Sequence, residues 1–310
     1  MPAVYTASMT ETVGFIGLGL MGRPMATNLR KAGWPLVVHS RSSGPVDALI
    51  AAGAHRASSP AEVARRATRI ITMLPDSPDV EQVLEGPDGV FSALQPGTIL
   101  IDMSTIAPAA ARRLAERAAS LGAAMLDAPV SGGEIGAVGG TLSIMAGGDP
   151  DAFEAVRPLL HAMGNPERVA LIGASGAGQI CKVCNQMLIG GTLAVVGEAF
   201  ALALKAGVDP GKVRQALLGG FAASRVLEVH GERILTGNYK PGFRGALYAK
   251  DYRIVSATLA AHHSPAPVSA VVQQLVEALV AGGRGDIDYS ALATVLFDMA
   301  HVSVEPAAAV

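Results

Sequence analysis

One lysine stands out by its company. In GAGQICKVCNQ, Gly176 to Gln186, Lys182 lies among amides at the head of a long apolar segment. At helical spacing Gln179, Lys182, Asn185 and Gln186 share one face through i, i+3 and i+4 steps, while Ile180, Val183, Met187 and Leu188 point elsewhere. The chain has six lysines against eighteen arginines, so an amine at this place is more than surface filler. A lysine snorkelling at an interface is the bland alternative. A place in the first turn of a helix and partial burial both disfavour an ammonium, and are expected to bring its pKa down toward working pH, as a general acid requires. Asn185 and Gln186 are placed to orient that amine or a substrate hydroxyl.

A second pattern supplies work for such an acid. GLGLMG, Gly17 to Gly22, follows the apolar run Val13 to Ile16 and opens the helical pattern MGRPMATNLRKAG. A bare GxGxxG in a chain with 36 glycines can be a plain turn; between a strand and a helix it reads as a dinucleotide cradle. Gly17 permits the tight turn, Gly19 the close approach and Gly22 the helix packing, so that the amides of Leu18, Gly19, Leu20 and Met21 face a pyrophosphate. Where the next strand ends, an acidic residue would bind the adenosine ribose of NAD, but the chain reads His39, Ser40, Arg41. A hydroxyl and a guanidinium suit a 2′-phosphate, which favours NADP over NAD, the alternative being that Arg41 is a solvated loop residue. Hydride delivery to an aldehyde then leaves an alkoxide, and Lys182 is the residue to protonate it.

Two further stretches fall at strand ends. In DAPVSGG, Asp127 to Gly133, the Ser131 hydroxyl and the amides of Gly132 and Gly133 form a nest for a substrate carboxylate, although the bare pattern also fits a turn. In STIAP, Ser104 to Pro108, Thr105 is expected near the nicotinamide end of the cofactor. Cys181 and Cys184 make a CxxC, but within a helical pattern they read as small packing residues; one pair cannot complete a zinc site, and the seven histidines lack metal-ligand spacing, so no metal is expected.

The elements that must position these residues follow from hydrophobic patterning. From about residue 12 to 174 the short apolar runs VGFIG, PLVVH, RIITML, TILIDM, AMLDAP, LSIMAGG and RVALIG alternate with amphipathic stretches, which predicts an α/β Rossmann domain with a doubly wound, mainly parallel sheet. Ser59, Ser77 and Pro108 are expected at helix starts. From 175 to 305 the pattern is helical throughout, with breaks at GVDPGK, GNYKPGFRG and SPAP, and a long helix joins the halves, with a cleft between them as the natural site. Met187 to Val208 is long enough for a membrane span, yet Glu198 and Lys205 interrupt it, so a helix buried on all sides between domains or subunits is expected. With 24 basic and 26 acidic residues intermixed, there is no footprint for nucleic acid or an anionic membrane, and the partner is a small molecule. The start MPAVYTASMTETVGF lacks the marks of a signal peptide, which predicts a cytoplasmic protein, and the tail VEPAAAV is read as loose.

The motifs GFIGLGLMGRPMATNL, ITMLP, DMSTIAP, DAPVSGG, GAGQICKVCNQ and the pair Lys250–Asp251, in this order, resemble the β-hydroxyacid dehydrogenase (3-hydroxyisobutyrate dehydrogenase-like) family over nearly the whole chain. The resemblance implies an NAD(P)-dependent enzyme interconverting a short semialdehyde acid and its hydroxy acid, with oxidation of 3-hydroxyisobutyrate as the alternative. An imine reductase is a further one, against which Lys182 argues, and a non-catalytic dinucleotide-binding module another. It implies Lys182 as the catalytic acid, Asn185 beside it, Ser131, Gly132, Gly133 and Asn185 as substrate contacts, and Leu74, Pro75, Thr105 and Lys250 as cofactor contacts beside the glycines. A homodimer or homotetramer is implied as well. The departure is Ser40, where NAD-using relatives carry an aspartate.

Overall fold

A computed structural model describes residues 11–304; the sequence readings of the first ten residues and of the tail after Val304 lie outside the described residues. The chain divides into two compact units, one ending at Lys182 and one beginning at Val183. Sequence patterning puts a boundary at 174/175, ahead of the long helix, whereas the division falls inside that helix.

In the first unit nine strands, β1 (Val13–Ile16), β2 (Leu36–His39), β3 (His55–Arg56), β4 (Arg69–Thr72), β5 (Ile99–Asp102), β6 (Ala124–Asp127), β7 (Val130–Ser131), β8 (Leu142–Gly147) and β9 (Gly164–Gly173), form one sheet. Their order is β3-β2-β1-β4-β5-β6-β8-β7, with β9 beside β8. β1 to β6 run parallel, β8 is antiparallel to β6 and β7, and β9 is parallel to β8. Alternate residues feed two separate cores: Val13, Phe15, Leu36, Val38 and Ile71 pack on one face, Ile16, Val37, Ile70 and Leu100 on the other. Burial on both faces is why these strands read as unbroken apolar runs. β3 and β7, two residues each, are too short to leave a periodic signal.

Helices α1 (Gly22–Lys31), α2 (Ser43–Ala51), α3 (Pro60–Arg66), α4 (Ser77–Glu85), α5 (Pro108–Ser120), α6 (Gly133–Gly139) and α7 (Pro150–Met163) connect the strands. Ser59 caps α3, accepting from the Glu62 amide, and Pro108 opens α5. At α4 the cap is Asp76 rather than the expected Ser77: its carboxylate accepts from the Ser77 amide at 2.7 Å, so Ser77 is already the first helical residue.

The long helix α8 (Ala177–Lys205) starts in the first unit and runs into the second, which continues with α9 (Pro210–Leu217), α10 (Arg225–Leu235), α11 (Gly245–Ala261), α12 (Pro267–Leu279) and α13 (Leu292–Ala300). All three predicted breaks fall where one helix ends and the next begins. In the second unit α8 is long and apolar enough to cross a bilayer, but Leu193, Val196 and Phe200 join Tyr248, Tyr252, Val276 and Phe297 in one core. Gly190 and Gly197 allow the contact: a Cβ would lie 2.2 Å from the Tyr252 hydroxyl at the first and 2.8 Å from Leu296 at the second. The helix is not buried on all sides in a single chain, since Leu188, Val195 and Leu202 are 72%, 59% and 70% exposed. Cys184 is exposed too, so burial does not account for it as a packing residue.

Candidate active site

The strand order reverses between β1 and β4, and in open α/β sheets ligands bind beyond the carboxyl ends of the strands at such a point. The loop residues singled out from the sequence in the first unit follow these ends: Gly17 to Gly22 after β1, Ser40 and Arg41 after β2, Leu74 and Pro75 after β4, Thr105 after β5 and Ser131 to Gly133 after β6, Ser131 within the short β7.

The glycine loop has the form that a dinucleotide needs. Gly17 has φ +98°, and a Cβ there would lie 2.3 Å from the Met73 carbonyl oxygen; a Cβ on Gly22 would fall 1.9 Å from that of Gly17. Both positions therefore hold the turn closed. Gly19 is different, because a Cβ would meet no atom within 4 Å: it borders open space at the start of α1, where a phosphate can approach the backbone. Leu18 is buried and Leu20 is half exposed, so the loop is anchored on one side and open on the other. The Ser40 hydroxyl accepts from the Leu18 amide at 3.4 Å, tying the end of β2 to the loop. The Arg41 guanidinium is exposed and stands 3.6 Å from the Asp79 carboxylate, an acidic neighbour that no single motif discloses.

After β5 and β6 two buried carboxylates organise the chain. Asp102 and Asp127 are register partners on the adjacent strands. One oxygen of Asp102 accepts from the Thr72 hydroxyl at 2.8 Å and from the hydroxyl and amide of Ser104 at 2.6 and 3.2 Å. Ser104 in turn accepts from the Leu74 amide at 2.9 Å, which joins the two loops expected to contact the cofactor. Asp127 accepts from the amides of Gly176 at 2.7 Å and Gln179 at 2.8 Å, serving as a cap for α8. Burial pushes both carboxyls up to about 6, against the lowering effect of the bonds that they accept.

Lys182 is buried, and its ammonium donates to the Val130 carbonyl at 2.8 Å. Val130 precedes Ser131, so the amine is held one residue from the predicted carboxylate nest. Because α8 begins at Ala177, Lys182 falls in its second turn and not in the first, where the helix dipole acts most strongly. Gly132 and Gly133 have φ of +138° and +61°, a backbone path that glycine takes without strain, and both are exposed.

In the second unit the Asn185 amide donates to the Gln186 side chain at 2.6 Å, and Gln186 donates to Asp251 at 2.6 Å. The other Asp251 oxygen pairs with the Lys250 ammonium at 2.7 Å, both side chains being buried. One polar chain thus includes Asn185, Gln186, Asp251 and Lys250. Gln186 and Asp251 are its middle: the sequence places Gln186 to orient the amine or a substrate hydroxyl, whereas its side chain bonds to Asn185 and Asp251, and Asp251 is visible in the sequence only as a residue of a quoted motif. The other residues missed were Asp102, Asp127 and Gln179, which touch neighbours across 30 to 75 positions of sequence. Among the described residues no group of three or more His, Cys, Asp or Glu could hold a metal ion.

A glycine-cradled helix at the switch point of a parallel sheet, with a buried lysine held beyond the end of β6 in the same sheet, defines a nicotinamide-dinucleotide-dependent oxidoreductase of the Rossmann class. Residues 12–176 match the NAD binding domain of 6-phosphogluconate dehydrogenase, and residues 176–296 the NAD-binding domain of NADP-dependent 3-hydroxyisobutyrate dehydrogenase. The chain is 46% identical over 290 residues to 2-hydroxy-3-oxopropionate reductase of Escherichia coli (strain K12), covering 93% of this chain and 98% of the relative. It is 38% identical over 295 residues to an NAD-dependent L-serine dehydrogenase of Pseudomonas aeruginosa, covering 93% and 98%. Mycobacterium tuberculosis 3-hydroxyisobutyrate dehydrogenase, solved with L-serine, superposes with a TM-score of 0.85 at 33% identity, covering 93% and 99%. The chain belongs to the 3-hydroxyisobutyrate dehydrogenase-like family of β-hydroxyacid dehydrogenases. It is an NAD(P)-dependent oxidoreductase acting on a CH–OH group of a small molecule.

Proposed function

We propose that the chain reduces tartronate semialdehyde to glycerate, with Lys182 as the proton donor. The observation that carries this reading is the Lys182 ammonium, buried and donating to the Val130 carbonyl beside Ser131. A bound NAD(P)H supplies the hydride. Ser131 and the amides of Gly132 and Gly133 hold the substrate carboxylate, which brings the aldehyde oxygen to the Lys182 Nζ. As that oxygen gains negative charge the Lys182 ammonium gives it a proton, and the neutral amine recovers one from solvent. Asn185 orients the substrate hydroxyl. Oxidation of 3-hydroxyisobutyrate is the second reading, favoured by the match to the 3-hydroxyisobutyrate dehydrogenase domain, since the same nest accepts either acid.

NADP is the cofactor we favour. No acidic residue ends β2, where Ser40 and Arg41 stand, and the glycine loop supplies Gly17, Leu18, Gly19, Leu20, Met21 and Gly22 to the pyrophosphate. Leu74, Pro75, Thr105 and Lys250 complete the cofactor contacts in this reading. We also read the protein as a cytoplasmic homodimer or homotetramer: Leu188, Val195 and Leu202 recur every seven residues on one exposed line of α8, the spacing of a helix seam, and a second copy of the chain is their occupant.

The test is a steady-state screen of small semialdehydes and 3-hydroxy acids with both cofactors, joined to Lys182→Ala. That variant is expected to bind NADPH nearly as the wild type does while turnover falls by about 10² or more; retained turnover overturns the assignment. Arg41→Ala is expected to raise the KM for NADPH more than for NADH, and equal changes would show that Arg41 does not read the phosphate.

A further inference from the structure

We infer that Gln179 is a positioning residue for the reaction: its side-chain amide locks the loop that carries Thr105 to the helical turn that precedes Lys182. The inference rests on the reading of Lys182 as the proton donor.

Gln179 has no exposed surface. Its amide nitrogen donates to the Ser104 carbonyl at 2.8 Å, and its amide oxygen accepts from the Ile106 amide at 3.2 Å. The two bonds bracket Thr105, whose own backbone lies between them. A primary amide carries a donor and an acceptor spaced to bridge a carbonyl and an N–H two residues apart, and it keeps both at every working pH, whereas a carboxyl has the donor only when protonated. The position of Gln179 along α8 is fixed in turn by Asp127, which accepts from the Gln179 amide, and by Gly178, where a Cβ would lie 2.3 Å from the Met145 carbonyl oxygen and 2.5 Å from that of Asp127. The first turn of the helix is therefore seated on the ends of β6 and β8.

Lys182 lies three residues further on, on the same helix face, and its ammonium is held by Val130 at the start of β7. One turn of helix thus sets two distances together: that of Thr105, the residue read as facing the nicotinamide, and that of the amine which must reach the substrate oxygen. A donor held about 1 Å out of place can lower turnover by about 10² without altering what binds. No ligand need touch Gln179 for it to act in this way.

Three variants test this with NADPH and tartronate semialdehyde. Gln179→Ala is expected to lower kcat by about 10- to 100-fold, with the Kd for NADPH changed less than about threefold and with the melting temperature close to that of Gln179→Glu. Gln179→Glu keeps the shape of the amide. As a carboxylate it cannot donate to the Ser104 carbonyl, whereas once protonated it can donate there and accept from Ile106. Its kcat relative to wild type at the same pH is therefore expected to recover as the medium is acidified, and that of Gln179→Ala to stay flat. Asp102 and Asp127 also titrate near this range, and the flat ratio of Gln179→Ala, which keeps both carboxyls, is the control for them. Wild-type kcat in Gln179→Ala, or a flat ratio for Gln179→Glu, overturns the proposal.

Lys182→Ala separates this from failure of the functional reading. If Lys182→Ala retains turnover, the proton-donor reading falls and the positioning role falls with it; if Lys182→Ala is inactive and Gln179→Ala is not, only the positioning role falls. If the wild type does not reduce tartronate semialdehyde, the substrate reading falls alone, and amide exchange decides the clamp: exchange at Ile106 is expected to be about tenfold faster in Gln179→Ala, and unchanged exchange overturns it.

Discussion

Two glutamines seven residues apart on α8 solve the same problem with different chemistry. Gln179, in the first unit, bonds only to backbone, at Ser104 and Ile106. Gln186, in the second unit, bonds to the carboxylate of Asp251, whose charge is matched by Lys250. Around Gln179 both oxygens of Asp127 accept from backbone amides and one oxygen of Asp102 accepts from hydroxyls and an amide, and none of these donors is a cation. The first unit orders its site through neutral donors that cannot be titrated away, and the second through a charge pair. The lesson is that a buried carboxylate takes its role from the donors that the fold presents to it, and its sensitivity to mutation follows from whether those donors are charged.

The comparison can be broken at graded levels. The largest effect on stability is expected at the charge pair: Asp251→Ala removes the carboxylate paired with the buried Lys250 ammonium, at a cost of about 3–5 kcal/mol in denaturant unfolding. A cost below about 1 kcal/mol would show that the pair is not what organises that region. Next comes Asp127→Asn. Both Asp127 oxygens accept from backbone amides, so an amide group there turns a donor toward a donor and is expected to cost about 1–3 kcal/mol, with faster hydrogen exchange confined to the first turn of α8.

Asp102→Asn is expected to differ sharply from this. Only one Asp102 oxygen is bonded, and the other is buried without a hydrogen-bond partner, so the substitution is expected to stay within about 1 kcal/mol of wild type. Its sign depends on pH. Burial raises the Asp102 carboxyl from 3.8 to about 6, so between those values the folded chain binds more protons than the unfolded one. The contribution of Asp102 to stability therefore falls as pH rises through that window and stays lowered above it. The melting temperature of Asp102→Asn relative to wild type is expected to rise between about pH 4 and pH 7; a constant difference would mean that Asp102 does not titrate in this window. The smallest effect on the fold is expected at Val195→Asp, which lies on an exposed line of α8 and is expected to change stability by less than about 0.5 kcal/mol. It is expected to shift the mass found by light scattering to that of a single chain.

Much of this is legible in the sequence alone. The runs at Val13 to Ile16, Arg69 to Thr72 and Ile99 to Asp102 announce buried parallel strands because both faces are covered, and a glycine turn between strand and helix has few other uses. Gln179, Lys182, Asn185 and Gln186 declare themselves as polar groups on an apolar helix. The two-residue strands β3 and β7 did not, because two residues carry no period. The cap at Asp76 was misplaced by one residue, since both Asp76 and Ser77 are good caps and only the backbone decides between them.

By itself, the order of residues determined the alternation of strands and helices, the cradle at Gly17 to Gly22, and which lysine has unusual company, because these depend on local spacing and side-chain type. Tertiary structure alone decided that Asp127 caps α8 from 49 positions away, that Gln179 brackets Thr105, and that Lys182 donates to Val130 from the second turn of its helix. These are bonds between groups far apart in the chain, and such a bond exists only when the sheet brings the ends of its strands together.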